Sequence, residues 1–102
     1  MAFVSTAWTS PETNLSPDDF CACCLIDLNA PGKAKVKGEC YLPVRNKPSG
    51  PTNTNAMSAA AGYLIRTQVP ADAKRKAARK LASLYREAKL EPPPSVVKIA
   101  GG

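Results

Sequence analysis

The clearest pattern of apolar and polar positions along the chain follows Pro70. Apolar residues from Ala77 to Ala88 recur three or four positions apart, which is helical spacing, and basic residues fill the opposite face. A second helical pattern begins near Asn55, a good capping residue, and its small side chains would let another helix approach closely. The two patterns predict a helical hairpin over about residues 55 to 90 as the folded nucleus.

A shorter helix and an extended edge are predicted before the hairpin. Ser16 can cap a helix that has Pro17 at its first position and two aspartates at the positive end of its dipole. This helix is expected to reach about Ile26. Residues 40 to 44 predict a short strand or an extended edge, and Pro43 argues against a central strand.

The two ends of the chain predict extended segments. Residues 1 to 15 alternate apolar and small polar side chains, which favours an extended arm. Residues 91 to 102 begin with "EPPP", which ends a helix and predicts a proline-led extended tail. The predicted fold is therefore mainly α, small and irregular, with a single domain over residues 16 to 90 between two extended arms.

The composition predicts a thin core. A chain of 102 residues is one domain at most, and its six aromatic residues must share the core with many alanines. Ten prolines indicate long extended connections. We expect partner surfaces to hold these connections, with Phe3 and Trp8 as the large side chains of the N-terminal arm that bind a partner.

Charge is divided along the sequence. All fourteen Lys and Arg residues follow position 32, whereas four acidic residues and no basic ones precede it. This asymmetry favours a protein that lies between unlike surfaces or packs copies head to tail. Arg75, Arg79 and Arg86 on the third predicted helix would bind an acidic partner surface, while the stretch "KRKAARK" could contact nucleic acid or only be solvated.

No membrane segment is expected. The chain lacks a run of about 18 apolar residues, which a transmembrane helix needs. Its N-terminus lacks a positive start and a continuous apolar stretch, so we expect no secretion signal. The thiols are then expected to mature in a reducing cytoplasm, where stable disulfides are uncommon.

The four cysteines are the main candidates for chemistry. If residues 17 to 26 are helical, Cys21 and Cys24 share a face that Cys40 could meet, while Cys23 points elsewhere. These three would be the protein ligands of a zinc ion, the one cofactor that the sequence suggests.

Other interpretations of the cysteines remain open. With no histidine in the chain, the fourth zinc ligand would have to be Asp27, Asp19 or a partner's side chain. A disulfide from Cys21 or Cys24 to Cys40 is a second interpretation. The favoured one is that these cysteines are buried small side chains that seat the first helix, with no cofactor bound.

Catalysis is not expected. A nucleophilic cysteine or serine needs a base, usually histidine, and the chain has none. Its carboxylates show no pairing beyond the helix-capping aspartates, and no Gly-rich phosphate loop is present. We therefore expect a protein that is not an enzyme.

Two stretches, "CYLPVRNKPSGPTNTNAMSAAAGYL" and "PADAKRKAARKLASLYREAKLEPPP", resemble a short module encoded in the structural-gene clusters of tailed bacteriophages. The module has a Leu-Pro-centred strand, a Gly-containing turn, an Asn before an "AAA" helix, and an Ala/Lys/Arg-rich helix that ends before prolines. Its pattern is matched by Leu42, Pro43, Asn55, Ala59, Ala60, Ala61, Ala77, Leu81 and Tyr85. The similarity covers roughly residues 17 to 94 and implies a phage particle or its assembly as the setting.

The resulting hypothesis is a non-enzymatic phage structural protein. It would be made in the host cytoplasm and reside in the virion in many copies, as a minor capsid or cement (decoration) protein that bridges subunits of the major capsid protein or another virion protein. One alternative is a small cytoplasmic regulatory protein that binds zinc or nucleic acid. A second alternative is a scaffold or chaperone of capsid assembly.

Overall fold

A computed structural model describes residues 3–101 and has a small, mainly α fold. Its elements in chain order are β1 (Phe3–Val4), α1 (Pro17–Cys23), β2 (Cys24–Asp27), a 3₁₀ turn (Lys37–Glu39), β3 (Cys40–Pro43), β4 (Thr52–Asn53), α2 (Thr54–Leu64), α3 (Ala71–Glu87) and α4 (Pro94–Gly101). Over these 99 positions, from Phe3 to Gly101, no helix combines the length and apolarity needed to cross a bilayer.

The core lies where α2, α3 and α4 pack together against the β2–β3 pair. Its fully buried large side chains include Met57, Leu64, Leu81 and Val96. Buried alanines on α2 and α3 let the helices approach closely and keep the core thin. A smaller cluster of Phe20, Cys21 and Cys40 lies beside it.

The first helix is shorter than its sequence predicts. It ends at Cys23 rather than near Ile26, and the chain continues directly as β2. β2 pairs antiparallel with β3, so that Cys24 lies opposite Pro43 and Asp27 lies opposite Cys40. Burial of Leu25 and Ile26 against the main core outweighs the local tendency to continue the helix.

The predicted N-terminal arm begins as an extended segment, but over residues 3 to 8 it packs on the chain's own fold. β1 pairs in parallel with β4, with Phe3 beside Thr52. Phe3 and Trp8 are partly buried against the chain's own core. Because strand pairing satisfies the backbone groups of an otherwise isolated segment, the arm is part of the fold.

The prediction of an extended C-terminal tail is wrong for residues 94 to 101, because they form α4. Proline cannot continue a helix but is well suited to begin one, and Pro94 is the first residue of α4. The fully buried side chain of Val96 seats this helix in the main core. The prolines therefore separate two helices rather than leading into an extended segment.

Replacing Lys89 with glycine is expected to raise the free energy of unfolding by about 1 kcal/mol. Lys89 has φ of 60° just after α3, in the left-handed region that favours glycine. The next amide, that of Leu90, donates to the Tyr85 carbonyl over 2.8 Å and closes the helix end. Urea unfolding should show the gain. Lys80→Gly, at an exposed position inside α3, is the control and should lose about 1 kcal/mol; a loss in both variants would contradict the left-handed ending.

Candidate functional sites

A disulfide between Cys21 and Cys40 joins α1 to the start of β3. Both cysteines are buried and pack with Phe20. The sequence left open a disulfide from either Cys21 or Cys24 to Cys40. The structure has the bond from Cys21.

Cys24 does not join the other predicted zinc ligands. Its thiol donates to the Phe20 carbonyl over 3.2 Å, and it is a free cysteine like the buried Cys23. Burial raises the pKa of the Cys24 thiol to about 12, and the neighbouring Cys23 adds to this. Burial also raises the pKa of Cys23, although the positive charge of Arg45 opposes the shift. Both thiols therefore stay protonated at neutral pH, where they are poor nucleophiles and poor metal ligands.

The sequence predicted that Cys24 would lie beside Cys21 and Cys40. In the structure the side chain that lies beside them is that of Asp27. One oxygen of its carboxylate and the sulfurs of Cys21 and Cys40 all lie within 4.8 Å of one another. The carboxylate accepts hydrogen bonds from the Asn29 amide N–H at 2.9 Å and from its side chain at 2.8 Å, and it pairs with Lys35. Partial desolvation raises the pKa of Asp27, but these hydrogen bonds outweigh that effect and hold the pKa below its usual value.

The side chain of Asn29 organises this centre, and sequence reasoning missed it. Its Nδ2 lies 3.3 Å from the Cys40 sulfur and 3.6 Å from the Cys21 sulfur, as well as donating to Asp27. Its Oδ1 accepts the Val36 amide over 2.8 Å and closes the intervening loop. The available signal was the spacing of Asp27 and Asn29, which is typical of an Asx turn.

A second candidate site is an open groove, here named the aromatic groove, with a volume of about 420 Å³. Four of the chain's six aromatic residues line it, namely Trp8, Phe20, Tyr41 and Tyr63. Tyr63 is 58% exposed, whereas Phe20 is buried at the inner side. Among the remaining lining residues are Leu42 and Pro43 of β3 and two alanines of α2, so the walls are mostly apolar.

Leu42 gives the aromatic groove a strained wall. It has φ of 65°, a left-handed conformation that leucine rarely adopts, although it is buried within β3. Such a conformation costs on the order of 1–3 kcal/mol, and residues of this kind cluster at binding and catalytic sites. The strain therefore marks this wall of the groove as a functional candidate.

Two of the three arginines predicted to bind a partner make contacts within the chain. Arg75 donates to Asp72 over 3.3 Å, one turn away on α3. The Nε of Arg79 donates to the Ala100 carbonyl over 3.2 Å and so ties α4 to α3. Arg86 is exposed near the end of α3. At least Arg79 therefore has a structural contact in addition to any binding role.

The predicted aromatic contacts divide between the core and the aromatic groove. Phe3 packs on the core, while Trp8 both packs there and lines the groove. Tyr41 and Tyr63 join Trp8 in the groove, and their positions in the sequence gave no local signal of this grouping. An open groove lined by aromatic side chains can bind an apolar or extended partner segment.

Comparisons of this chain with protein-family models, with curated proteins and with solved structures gave no match.

Proposed function

We propose that the chain is a non-enzymatic structural protein of a tailed-bacteriophage particle, a minor capsid or cement protein that binds a neighbouring virion protein through the aromatic groove. The observation that carries this proposal is the collection of four of six aromatic residues in one open groove. The phage setting comes from the resemblance of residues 17 to 94 to the structural-cluster module.

The distribution of aromatic side chains supports a binding role. A small domain gains more stability from each buried aromatic residue than from most other side chains, because each can bury 150–250 Å². This chain has a thin, alanine-rich core, yet it leaves Tyr63 58% exposed. Tyrosine and tryptophan are enriched at protein interfaces. The exposed side chain of Tyr63 would therefore become buried when a partner binds.

The shape and composition of the groove favour an extended segment as the occupant. Its volume of about 420 Å³ fits a few side chains rather than a whole helix face. Aromatic-lined grooves bind extended and proline-rich segments, whose low flexibility reduces the entropic cost of binding. We therefore propose an extended, apolar or proline-containing segment of the major capsid protein as the partner.

The basic residues of α3 supply a second contact in this proposal. Arg86 is exposed, and Arg75 is half-buried and pairs with the carboxylate of Asp72, whose side chain is 87% accessible. An exposed charge such as that of Arg86 steers association and sets its salt dependence more than its affinity. An acidic surface on the same virion protein would complement this charge.

Changing Tyr63 to alanine is expected to weaken binding to particles about 30-fold, which corresponds to the roughly 2 kcal/mol loss typical of a central interface aromatic. The measurement is co-sedimentation of the purified chain with particles assembled in its absence. Tyr63 is exposed, so its loss should leave the urea unfolding midpoint nearly unchanged. Ile65→Ala is the matched control, because Ile65 is 55% exposed near the same helix end and is not among the residues that line the groove.

Two results would contradict the proposal. Equal weakening by Tyr63→Ala and Ile65→Ala would mean that the groove is not the interface. Absence of the chain from mature particles by quantitative mass spectrometry would contradict the cement role, and its presence in precursor particles alone would indicate an assembly scaffold. A chain found only in the host cytoplasm would indicate the regulatory alternative.

A further inference from the structure

We infer that reduction of the Cys21–Cys40 disulfide creates a zinc site. Its protein ligands are the two cysteine sulfurs and the neighbouring Asp27 carboxylate, and these three residues with Asn29 are here called the centre. The inference goes beyond the proposed function and does not depend on it, because the centre and the aromatic groove would bind different ligands.

The three ligand atoms already lie close together. Each is within 4.8 Å of the other two, and in a tetrahedral zinc site with sulfur bonds near 2.3 Å the ligand atoms are separated by about 4 Å. After reduction, the two sulfurs need only move apart to normal contact distance to reach such positions. Two thiolates and a carboxylate form a donor set that suits zinc, which accepts both sulfur and oxygen.

A dithiol of the cytoplasm can reduce the Cys21–Cys40 disulfide and so allow zinc to bind. The reductant transfers two electrons and two protons to the disulfide, giving two thiols, and is itself oxidised to a disulfide. Zinc then displaces the two thiol protons to solvent as it binds the thiolates. A disulfide oxidant would reverse the sequence: it accepts two electrons from the zinc-bound thiolates and two protons from solvent, becoming two thiols, while the Cys21–Cys40 bond reforms and the ion is released.

The hydrogen bonds around the centre would orient its ligands. Asn29 donates one N–H to Asp27, and its second N–H lies within hydrogen-bonding distance of both sulfurs, so it can stabilise one thiolate as it forms. Lys35 holds the second carboxylate oxygen of Asp27. Outer contacts of this kind fix ligand geometry in metal sites, and none of them requires the disulfide to be present.

The site has an entry path and one open position. Asp27 is exposed, whereas both cysteines are buried, so an ion would arrive from the solvent side of the carboxylate. Three protein ligands leave the fourth tetrahedral position to water. Cys24 is not the fourth ligand, because its thiol donates instead to the Phe20 carbonyl.

The test measures Zn²⁺ binding to the full chain, oxidised and reduced, by competition with a chromophoric chelator. Reduction uses a phosphine, which does not supply thiols that compete for zinc, and is followed by removal of the reagent without air. The reduced chain should bind one Zn²⁺ and the oxidised chain none. Asp27→Asn should weaken binding at least about tenfold, and Cys40→Ala should abolish it. Cys24→Ser is the matched control and should bind as the wild type does.

Thermal unfolding of the reduced chain gives a second readout that requires the folded site. Zn²⁺ should raise the unfolding midpoint of the wild type and of Cys24→Ser, and it should raise that of Asp27→Asn less. No binding by the reduced wild type would overturn the inference. So would equal affinities of the wild type and Asp27→Asn, which is the result expected if an unfolded chain binds zinc through its thiols alone. Loss of binding in Cys24→Ser would assign the ion to a different ligand set.

Discussion

Replacing Asn53 with alanine is expected to lower the free energy of unfolding by about 2 kcal/mol. Asn53 is 1% exposed and precedes α2, where its side-chain oxygen accepts the amides of Asn55 at 2.8 Å and Ala56 at 3.3 Å. Its side-chain nitrogen donates in the opposite direction, to the carbonyl and the hydroxyl of Thr6. One buried amide group therefore caps a helix and fastens the N-terminal strand.

The size of this effect follows from its two parts. Loss of a helix cap typically costs about 1 kcal/mol. The bonds from Asn53 to the Thr6 carbonyl and hydroxyl would also be lost, but the carbonyl keeps its hydrogen bond from the Asn55 side chain at 2.7 Å. This second part should therefore cost about 1 kcal/mol, as an ordinary hydrogen bond does.

Two further variants separate these contributions in urea unfolding. Asn53→Asp keeps an acceptor for the helix amides but removes the donor to Thr6, so it should give an intermediate loss. Asn55→Ala removes bonds from an exposed side chain to Ser5 and Thr6 and should cost about 1 kcal/mol or less. A loss below 1 kcal/mol in Asn53→Ala would mean that β1 and α2 are not joined through this side chain.

The cap of α2 could be predicted only in part from the neighbouring residues. A capping asparagine was predicted at the right end of α2 but at Asn55, and the sequence "TNTN" offers two candidates with similar local chemistry. The choice of Asn53 depends on Thr6, which lies 47 positions earlier in the chain. A contact at that separation leaves no periodic pattern in the sequence.

α3 could be predicted from its own residues, whereas α4 depends on contacts with distant parts of the chain. α3 has a strong helical period. The prolines before α4 indicate equally well the end of one helix or the start of another. Burial of Val96 against the core decides between them, and this burial is a tertiary contact that the tail's sequence does not show.

The candidate sites were less predictable than the fold. The pairing of Cys21 with Cys40 depends on the β2–β3 register, which places Asp27 opposite Cys40. The sequence predicted a helix where β2 begins, and on a helix Cys24 shares the face of Cys21. The aromatic groove draws its side chains from positions as distant as Trp8 and Tyr63, so only the folded chain groups them.

Removing the disulfide by changing Cys21 and Cys40 together to alanine is expected to lower the free energy of unfolding by about 3 kcal/mol. The two cysteines are 19 residues apart, so the bond closes a loop of moderate length and restricts the unfolded chain. It also holds α1 against β3 in the smaller cluster with Phe20, which contains few other buried side chains. Urea unfolding with a chelator present measures the loss without any contribution from bound metal.

The control for this measurement is Cys24→Ala, which removes a thiol three positions from Cys21 but no covalent link, and it should cost about 1 kcal/mol. Chemical reduction of the wild type should match the double variant, because both open the same loop. A much larger loss on reduction would mean that buried thiols destabilise the centre. A loss below about 1 kcal/mol in both would mean that the contacts of Asn29 with Asp27 and Val36 hold the loop closed without the bond.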